Sequence, residues 1–527
     1  MINKNLILLL LILIFALFLR LPQILADDFF FVFDMGRDML WTRDIAVLHK
    51  PSLIGPWGSL QGIFFGPLWY YLLSVPFLIS HGDPRGSVLL VLFINLITII
   101  IAYLFGKKIK DEKLGLIFAL LLASSALMID ISTYAFHSNL LPFTTLIFIW
   151  SLYEVLENKL KYLPLAALMA SLNFHFEPAT AIFTVLTLAV FVIWKIKLIL
   201  QSENSGGVKI IFLSLIAFII PFIPQIIFEL RHEFLQTQSL ILFIKGENKS
   251  LGGVLPFIPR AFDRAGKFLE LFSGSVFSTY ILWLLRPALA VVLFLVFLIY
   301  RSVGKKERDF IEINLLVLLV PFLAYIFLFP PELKGWYLTG LAIPYILLTG
   351  LLIRYLLEKN KVVAILVLLV MVIYNSALVI RMNYFLGKIP NIGESGMLSV
   401  QKEVIDWIYK DADKLAFNAY LYTAPVYDYN YQYLFWWYGK KQYGYWPQEY
   451  GYLPGKIDYV PYKDKYIARQ RTKQLQKKPE FIYLIIEPDV FQDRIDSWLG
   501  SFEEYKLLSS KKIGENTIEK RLFSQSE

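Results

Sequence analysis

Residues 5–25 read NLILLLLILIFALFLRLPQIL, and residues 26–44 continue as ADDFFFVFDMGRDMLWTRD. The first stretch is apolar and long enough to cross a bilayer, since about 20 helical residues at about 1.5 Å each span about 30 Å of hydrocarbon. The second packs five carboxylates (Asp27, Asp28, Asp34, Asp38, Asp44) and two arginines (Arg37, Arg43) among phenylalanines. A cleaved signal peptide would explain Lys4, the apolar core and Ala26. Arg20, Pro22 and the bulky Ile24 argue instead for a retained span. On either reading, the acidic stretch lies outside the cytoplasm.

The rest of the chain supports a membrane setting. Of 527 residues, 57% are hydrophobic and 18% charged, against roughly 45–50% and about 25% in soluble domains. The apolar residues are bunched into bilayer-length runs, so the chain is a polytopic membrane protein. A net charge of +9 would suggest nucleic acid in a soluble protein; here it reads as lysine and arginine gathered on cytoplasmic loops. With no cysteine, disulfides, thiolate metal sites and thiol nucleophiles are excluded.

Loop charge sets the topology. The basic loops GKKIKDEK (106–113), ENKLKY (157–162), WKIKLILQSENSGGVK (194–209), RSVGKKERD (301–309) and EKNK (358–361) are assigned to the cytoplasm. The links STYAFHSNL, FHFEP and PPELKGW, which hold one lysine and no arginine, fall on the other side. Eleven spans follow, near 5–25, 87–105, 114–130, 139–156, 163–175, 178–195, 209–229, 276–300, 310–330, 337–357 and 362–380. The N-terminus is then cytoplasmic and the C-terminus extracytoplasmic. The stretch GIFFGPLWYYLLSVPFLIS (62–80) would invert every later loop if it spanned, and Gly66, Pro67 and Pro76 interrupt it. It reads as a helix lying in the outer interface. The first outer loop therefore runs over about 26–86 and a second long one over 229–271.

Beyond residue 384 the sequence turns polar and rich in tyrosine. EFIYLIIEP alternates like a strand and DVFQDRIDSWLG like an amphipathic helix. The expected architecture is thus mainly α: a membrane module of about eleven helices over 1–384, then a small α/β extracytoplasmic domain over 385–527.

Asp34, Arg37 and Asp38 stand at i, i+3 and i+4, so on a helix they share a face and Arg37 can pair either acid. A solvated interfacial helix with local ion pairs would show the same pattern. The aromatic setting favours more, because carboxylates there lose solvation and share the outer face with other polar groups. These are Asp130, His137 and Asn139 in the second outer turn, and His175 and Glu177 in NFHFEP; Glu177, just before Pro178, has a simple role as a helix cap. Cations suited to a phosphate follow: Arg231 and His232, then Lys245, Lys249, Arg260 and Arg264, and Lys334 in the last link. Anionic lipid headgroups would attract the same lysines.

This layout resembles the GT-C class of membrane glycosyltransferases, nearest the protein O-mannosyltransferase and lipid A aminoarabinose-transferase type (glycosyltransferase family 39). The resemblance is carried by FDMGRDMLWTRDIAVLHKPSLIGPWGSLQGIFFGPLWYYLLSVPF (33–77), STYAFHSNLLPF (132–143) and PQIIFELRHEF (224–234), and in layout covers about residues 1–380. It implies an isoprenoid-phosphate sugar as donor, an acceptor on a protein, lipid or glycan, and a reaction at the outer membrane face. It further implies a first-loop aspartate as base, which falls on Asp34, with Asp38 and Asp28 as alternatives. Many relatives carry two adjacent acids at that point, whereas here the acid is followed by MGRD. Arg37, His137, Asn139, His175, Glu177, Arg231, His232, Lys245 and Lys334 are the expected substrate-binding residues. No cofactor is certain and no metal constellation is evident; a divalent ion bridging acids and phosphate is compatible with the sequence but not required by it.

Three other readings compete. A secondary transporter would bury ionisable groups at mid-membrane on broken helices, but here the spans are nearly free of charge. A glycan polymerase or ligase would use later arginines and histidines and not need Asp34. A non-catalytic carbohydrate-binding membrane protein would display tyrosines and tryptophans as a stacking surface.

Overall fold

The computed structural model describes residues 4–58, 62–200, 206–245, 255–278, 282–380, 395–424, 426–455, 460, 479 and 481–523. Its chain divides into two compact units. The first comprises residues 1–21, 51–72 and 89–381; the second comprises 22–50, 73–88 and 382–527. Relative to the linear boundary expected at 384, the unit that carries the C-terminal sheet also takes in two stretches of the first outer loop.

The first unit is helical. A helix occupies each of the eleven expected positions, from Lys4–Phe18 to Lys361–Ile380. Six segments are long and apolar enough to cross a bilayer, Pro84–Ile109, His137–Leu156, Gly207–Arg231, Lys305–Phe327, Gly335–Lys359 and Lys361–Ile380, and four described apolar helices are shorter. The protein is therefore multi-pass; among the described residues, six segments meet the length criterion. Prolines 142, 164 and 178 open their helices at the first turn, where the missing N–H removes no hydrogen bond. Leu68–Ile79, the expected interfacial segment, is a helix with Pro76 inside it.

Two sets of contacts fix which loops share an end of this bundle. Glu154 receives Lys108 and Lys159, Lys110 lies 3.2 Å from Glu358 and 3.6 Å from Glu307, and Arg354 pairs with Asp111 and Glu358. Four of the five basic loops thus interlock at one end. At other links, His137 bonds the Phe176 carbonyl, Thr180 the Tyr337 carbonyl and Thr339 the Ser138 carbonyl. These three contacts gather the expected opposite-side links. Arg20 is fully buried and is spent on the carbonyls of Ala16, Leu122 and Ala123 and on Ser132 Oγ. It satisfies the orphan carbonyls at the C-terminus of Glu112–Ser124, the helix end that favours a cation.

The second unit is built on a five-stranded mixed sheet of order β2-β1-β3-β5-β4, with β1 Phe417–Tyr422, β2 Glu449–Gly451, β3 Phe481–Ile486, β4 Tyr505–Ile513 and β5 Asn516–Phe523. β1 runs parallel to β2 and β3; β5 is antiparallel to β3 and β4. The expected strand lies at β3 and the expected amphipathic helix at Gln492–Leu499. Most of the tyrosine-rich run is core: Tyr429, Tyr431, Tyr433, Phe435, Trp437, Tyr445 and Tyr450 are buried. Those rings are therefore not a stacking surface for sugar.

Candidate active site

The first-loop acids belong to the second unit. The helix Phe33–Ala46 begins after Val32, whose backbone is extended, and carries Asp34 in its first turn, where a carboxylate meets the positive end of the helix dipole. Arg37 reaches both acids. Its Nη1 lies 2.7 Å from Asp34 Oδ1, while Nε and Nη2 donate to Asp38 Oδ1 at 2.9 and 2.8 Å. Arg37 and Asp38 are 2% and 1% exposed, whereas the Asp34 side chain keeps 25%. Of the three, Asp34 is the one with a face open to a substrate.

Gly36 sets the height of this helix. A Cβ there would overlap the backbone N and Cα of Asn430, so the helix meets Tyr429–Leu434 backbone to backbone, as only glycine permits. One turn on, the Trp41 and Tyr429 rings meet edge to face at 5.9 Å. A second Arg–Asp pair follows: Arg43 Nε and Nη2 donate to Asp44 Oδ1 at 2.8 and 2.6 Å, with the guanidinium 5.2 Å from the centre of the Trp436 ring. Burial pushes the Asp44 carboxyl up against the pull of Arg43. Sequence reasoning passed over this pair, although the repeated Arg-Asp dipeptide signals it.

Asp27 and Asp28 do different work. Phe31 N–H bonds the Gly396 carbonyl, Leu398 N–H the Phe29 carbonyl and Ser399 N–H the Asp27 carbonyl, at 2.7, 3.1 and 3.0 Å. Asp28 Oδ1 accepts from Ser399 Oγ at 2.8 Å, and Asp27 pairs with Lys402 at 2.8 Å and Arg85 at 3.5 Å. The adjacent acids fasten the start of the loop to the first turn of Leu398–Ala412.

The remaining candidates lie in the first unit. His175 Nδ1 accepts from Leu68 N–H at 3.2 Å and Nε2 donates to the Pro221 carbonyl at 3.0 Å. That pattern requires a neutral ring, and the ring fills the space that a Cβ on Gly66 would need. His175 pins the returning first loop; it is not a cation for phosphate. Glu177 caps Pro178–Trp194 by accepting from Ala179 N–H, the simple role its sequence suggests. His137 donates Nδ1–H to the Phe176 carbonyl. Asn139 donates to the Tyr134 carbonyl at 3.0 Å, and its buried Oδ1 has no hydrogen-bond partner among the described residues. Arg231 ends the helix Ile223–Arg231 and Lys245 caps Leu235–Ile244; both are exposed. His232 stacks on Phe228 at 4.1 Å, and Lys334 pairs with Glu332. Arg264, fully buried, is committed to Asp263 and the carbonyls of Phe329 and Pro331. Lys249 lies outside the described residues. Among the described residues, no group of three or more His, Asp or Glu side chains is placed to hold a metal.

Comparison with known proteins agrees with this architecture. Residues 65–228 match the family model of dolichyl-phosphate-mannose-protein mannosyltransferase. In structure the chain is similar to ArnT from Cupriavidus metallidurans bound to undecaprenyl phosphate, with a TM-score of 0.60 at 10% identity over 99% of this chain and 98% of that one. The apo structure of the same protein gives 0.56 at 9% identity over 92% of both chains. No curated protein matches by sequence at a significant level. The chain carries the fold of the GT-C class of membrane glycosyltransferases.

Proposed function

We propose that this protein is a glycosyltransferase that moves a sugar from a polyprenyl phosphate to an acceptor hydroxyl on the extracytoplasmic face of the membrane, with Asp34 as general base. The observation that carries the reading is the Asp34–Arg37–Asp38 cluster, in which one carboxylate of a buried, charge-compensated set keeps an open face. The match to a family named for a dolichyl-phosphate sugar, and a neighbour of like fold bound to undecaprenyl phosphate, support the donor class.

In the reaction, the acceptor oxygen attacks the anomeric carbon as Asp34 takes its proton. The bond from that carbon to phosphate breaks, and polyprenyl phosphate leaves with the bonding pair. A positioned carboxylate assists such a step by about 10²–10⁴-fold. Arg37 holds Asp34 in place. The charge that grows on the leaving phosphate calls for a cation beside it. A divalent ion would have to displace the Arg37 guanidinium that already joins the two acids. The residues do not fit a metal at that point.

The test is turnover by the full-length protein in lipid nanodiscs, offered a panel of polyprenyl-phosphate sugars with hydroxyl acceptors. Release of polyprenyl phosphate with one donor is expected. Failure to bind or cleave any of them would contradict the reading and favour transport or carbohydrate binding.

A further inference from the structure

Asn430 makes two contacts that connect the candidate base to a titratable group elsewhere in the second unit. Its backbone is the surface on which Gly36 rests, in the middle of the Asp34–Arg37–Asp38 run. Its side chain hydrogen-bonds the carboxyl of Glu487, as does that of Thr423. Glu487 follows the C-terminal end of β3, and its N–H bonds the carbonyl of Tyr422 at the neighbouring end of β1. The carboxyl therefore sits where two parallel strands deliver their chain ends, a place in α/β sheets where polar groups converge. Gln432, on the same short helix as Asn430, donates to both oxygens of Asp428 at 3.2 Å. Thr423, Asp428, Asn430 and Gln432 are all at least 95% buried and Glu487 is half-buried, so the partners of its carboxyl have little freedom to absorb a change in charge.

We propose that Glu487 is a positioning residue for the candidate base: through Asn430 it sets the seat of Gly36, and its protonation state decides how firmly the helix Phe33–Ala46 is held. The proposal rests on the reading of Asp34 as base, but its mechanics do not need the substrate. Among the described residues, the titratable groups that face Glu487 are Asp428, whose charge opposes its ionisation, and Tyr431, whose hydroxyl is kept protonated by burial, with the charge of Glu487 adding to the effect. The Tyr431 hydroxyl has no hydrogen-bond partner among the described residues. Burial raises the Glu487 carboxyl to about 7, with Asp428 adding to the rise.

A carboxyl with an ordinary value of 4.5 when the cluster is open and about 7 when it is closed favours closure fully below the lower value. That support is lost as pH rises through the upper one. Ionised Glu487 faces Asp428 with a second negative charge, and the seat under Gly36 loosens.

Hydrogen exchange of the full-length protein in lipid nanodiscs, without substrate, tests this between pH 5 and 8. After correction for intrinsic exchange, the protection of amides 33–46 is expected to fall by about tenfold per pH unit up to about pH 7 and then level off. Glu487→Gln, which keeps the shape and cannot ionise, is expected to hold protection constant across the range. Thr423→Val removes a hydrogen bond that favours the charged form, so the midpoint is expected to move up; this variant decides the matter if Glu487→Gln does not fold. Protection that ignores pH in the wild type, or changes equally in Glu487→Gln, would overturn the proposal and leave Asp34 as base untouched. Conversely, turnover that survives loss of Asp34 would sink the catalytic reading and leave the exchange result standing.

Discussion

Asp34 and Asp38 share one guanidinium yet have opposite surroundings, and that difference separates their roles. Asp38 is enclosed, so removing Arg37 would leave a carboxylate in the interior without the cation that offsets its desolvation. Arg37→Met is expected to destabilise the protein by about 3–5 kcal/mol, read as a lowered unfolding midpoint in nanodiscs. Asp28→Asn keeps an acceptor for Ser399 but turns a charge-assisted bond into a neutral one, and is expected to cost about 0.5–1.5 kcal/mol, with turnover within a few-fold of wild type. A larger loss of turnover in Asp28→Asn than in Asp38→Asn would reverse this ranking. The i, i+3 spacing made the Asp34–Arg37 pair legible in the sequence. The Arg37 pair with Asp38 was legible too, since Arg37 could reach either acid; which acid is enclosed was not, because that depends on packing against the distant Tyr429–Asn430 backbone.

At the scale of elements, Gly36 and Gly66 are the points where the first loop is fixed, each within its own unit. Gly36→Ala must push the helix Phe33–Ala46 off Asn430. Overpacking of this kind costs about 1–3 kcal/mol, and a displacement of about 1 Å at a reacting group costs about 10²-fold in rate. Gly266→Ala in the helix Phe257–Val276 is the control, since nothing lies within 4 Å of its added carbon. It is expected to be neutral or stabilising by about 0.5–1 kcal/mol. Equal turnover in the two variants would mean that the seat on Asn430 does not matter. The helices were legible from apolar runs bounded by proline and charge. The path of the first loop was not, because its partners, Gly396 to Ser399 and Tyr429 to Asn430, lie more than 350 residues away in the sequence. The strand order is set by the same kind of distant pairing, and β2 is only three residues long.

For the whole molecule, the basic loops interlock at one end of the bundle and the neutral links at the other, as the charge asymmetry of the sequence anticipates. We propose from that asymmetry that the basic end faces the cytoplasm, and the orientation is open to a direct check, because the chain has no cysteine and a single introduced thiol reports its own position. Val490, 95% exposed in the sheet-bearing unit, and the exposed Lys306 in a basic loop are suitable sites. Val490→Cys is expected to react with a membrane-impermeant maleimide in intact cells, and Lys306→Cys only after permeabilisation. The opposite pattern would invert the topology and remove the outer-face assignment.

The most direct test of the account compares wild type with Asp34→Asn in nanodiscs, on the donor that the panel identifies, measuring donor affinity and single-turnover rate together. Affinity is expected to stay within a few-fold while the rate falls by about 10²–10⁴-fold. An unchanged rate in a folded, donor-binding Asp34→Asn protein would contradict Asp34 as base.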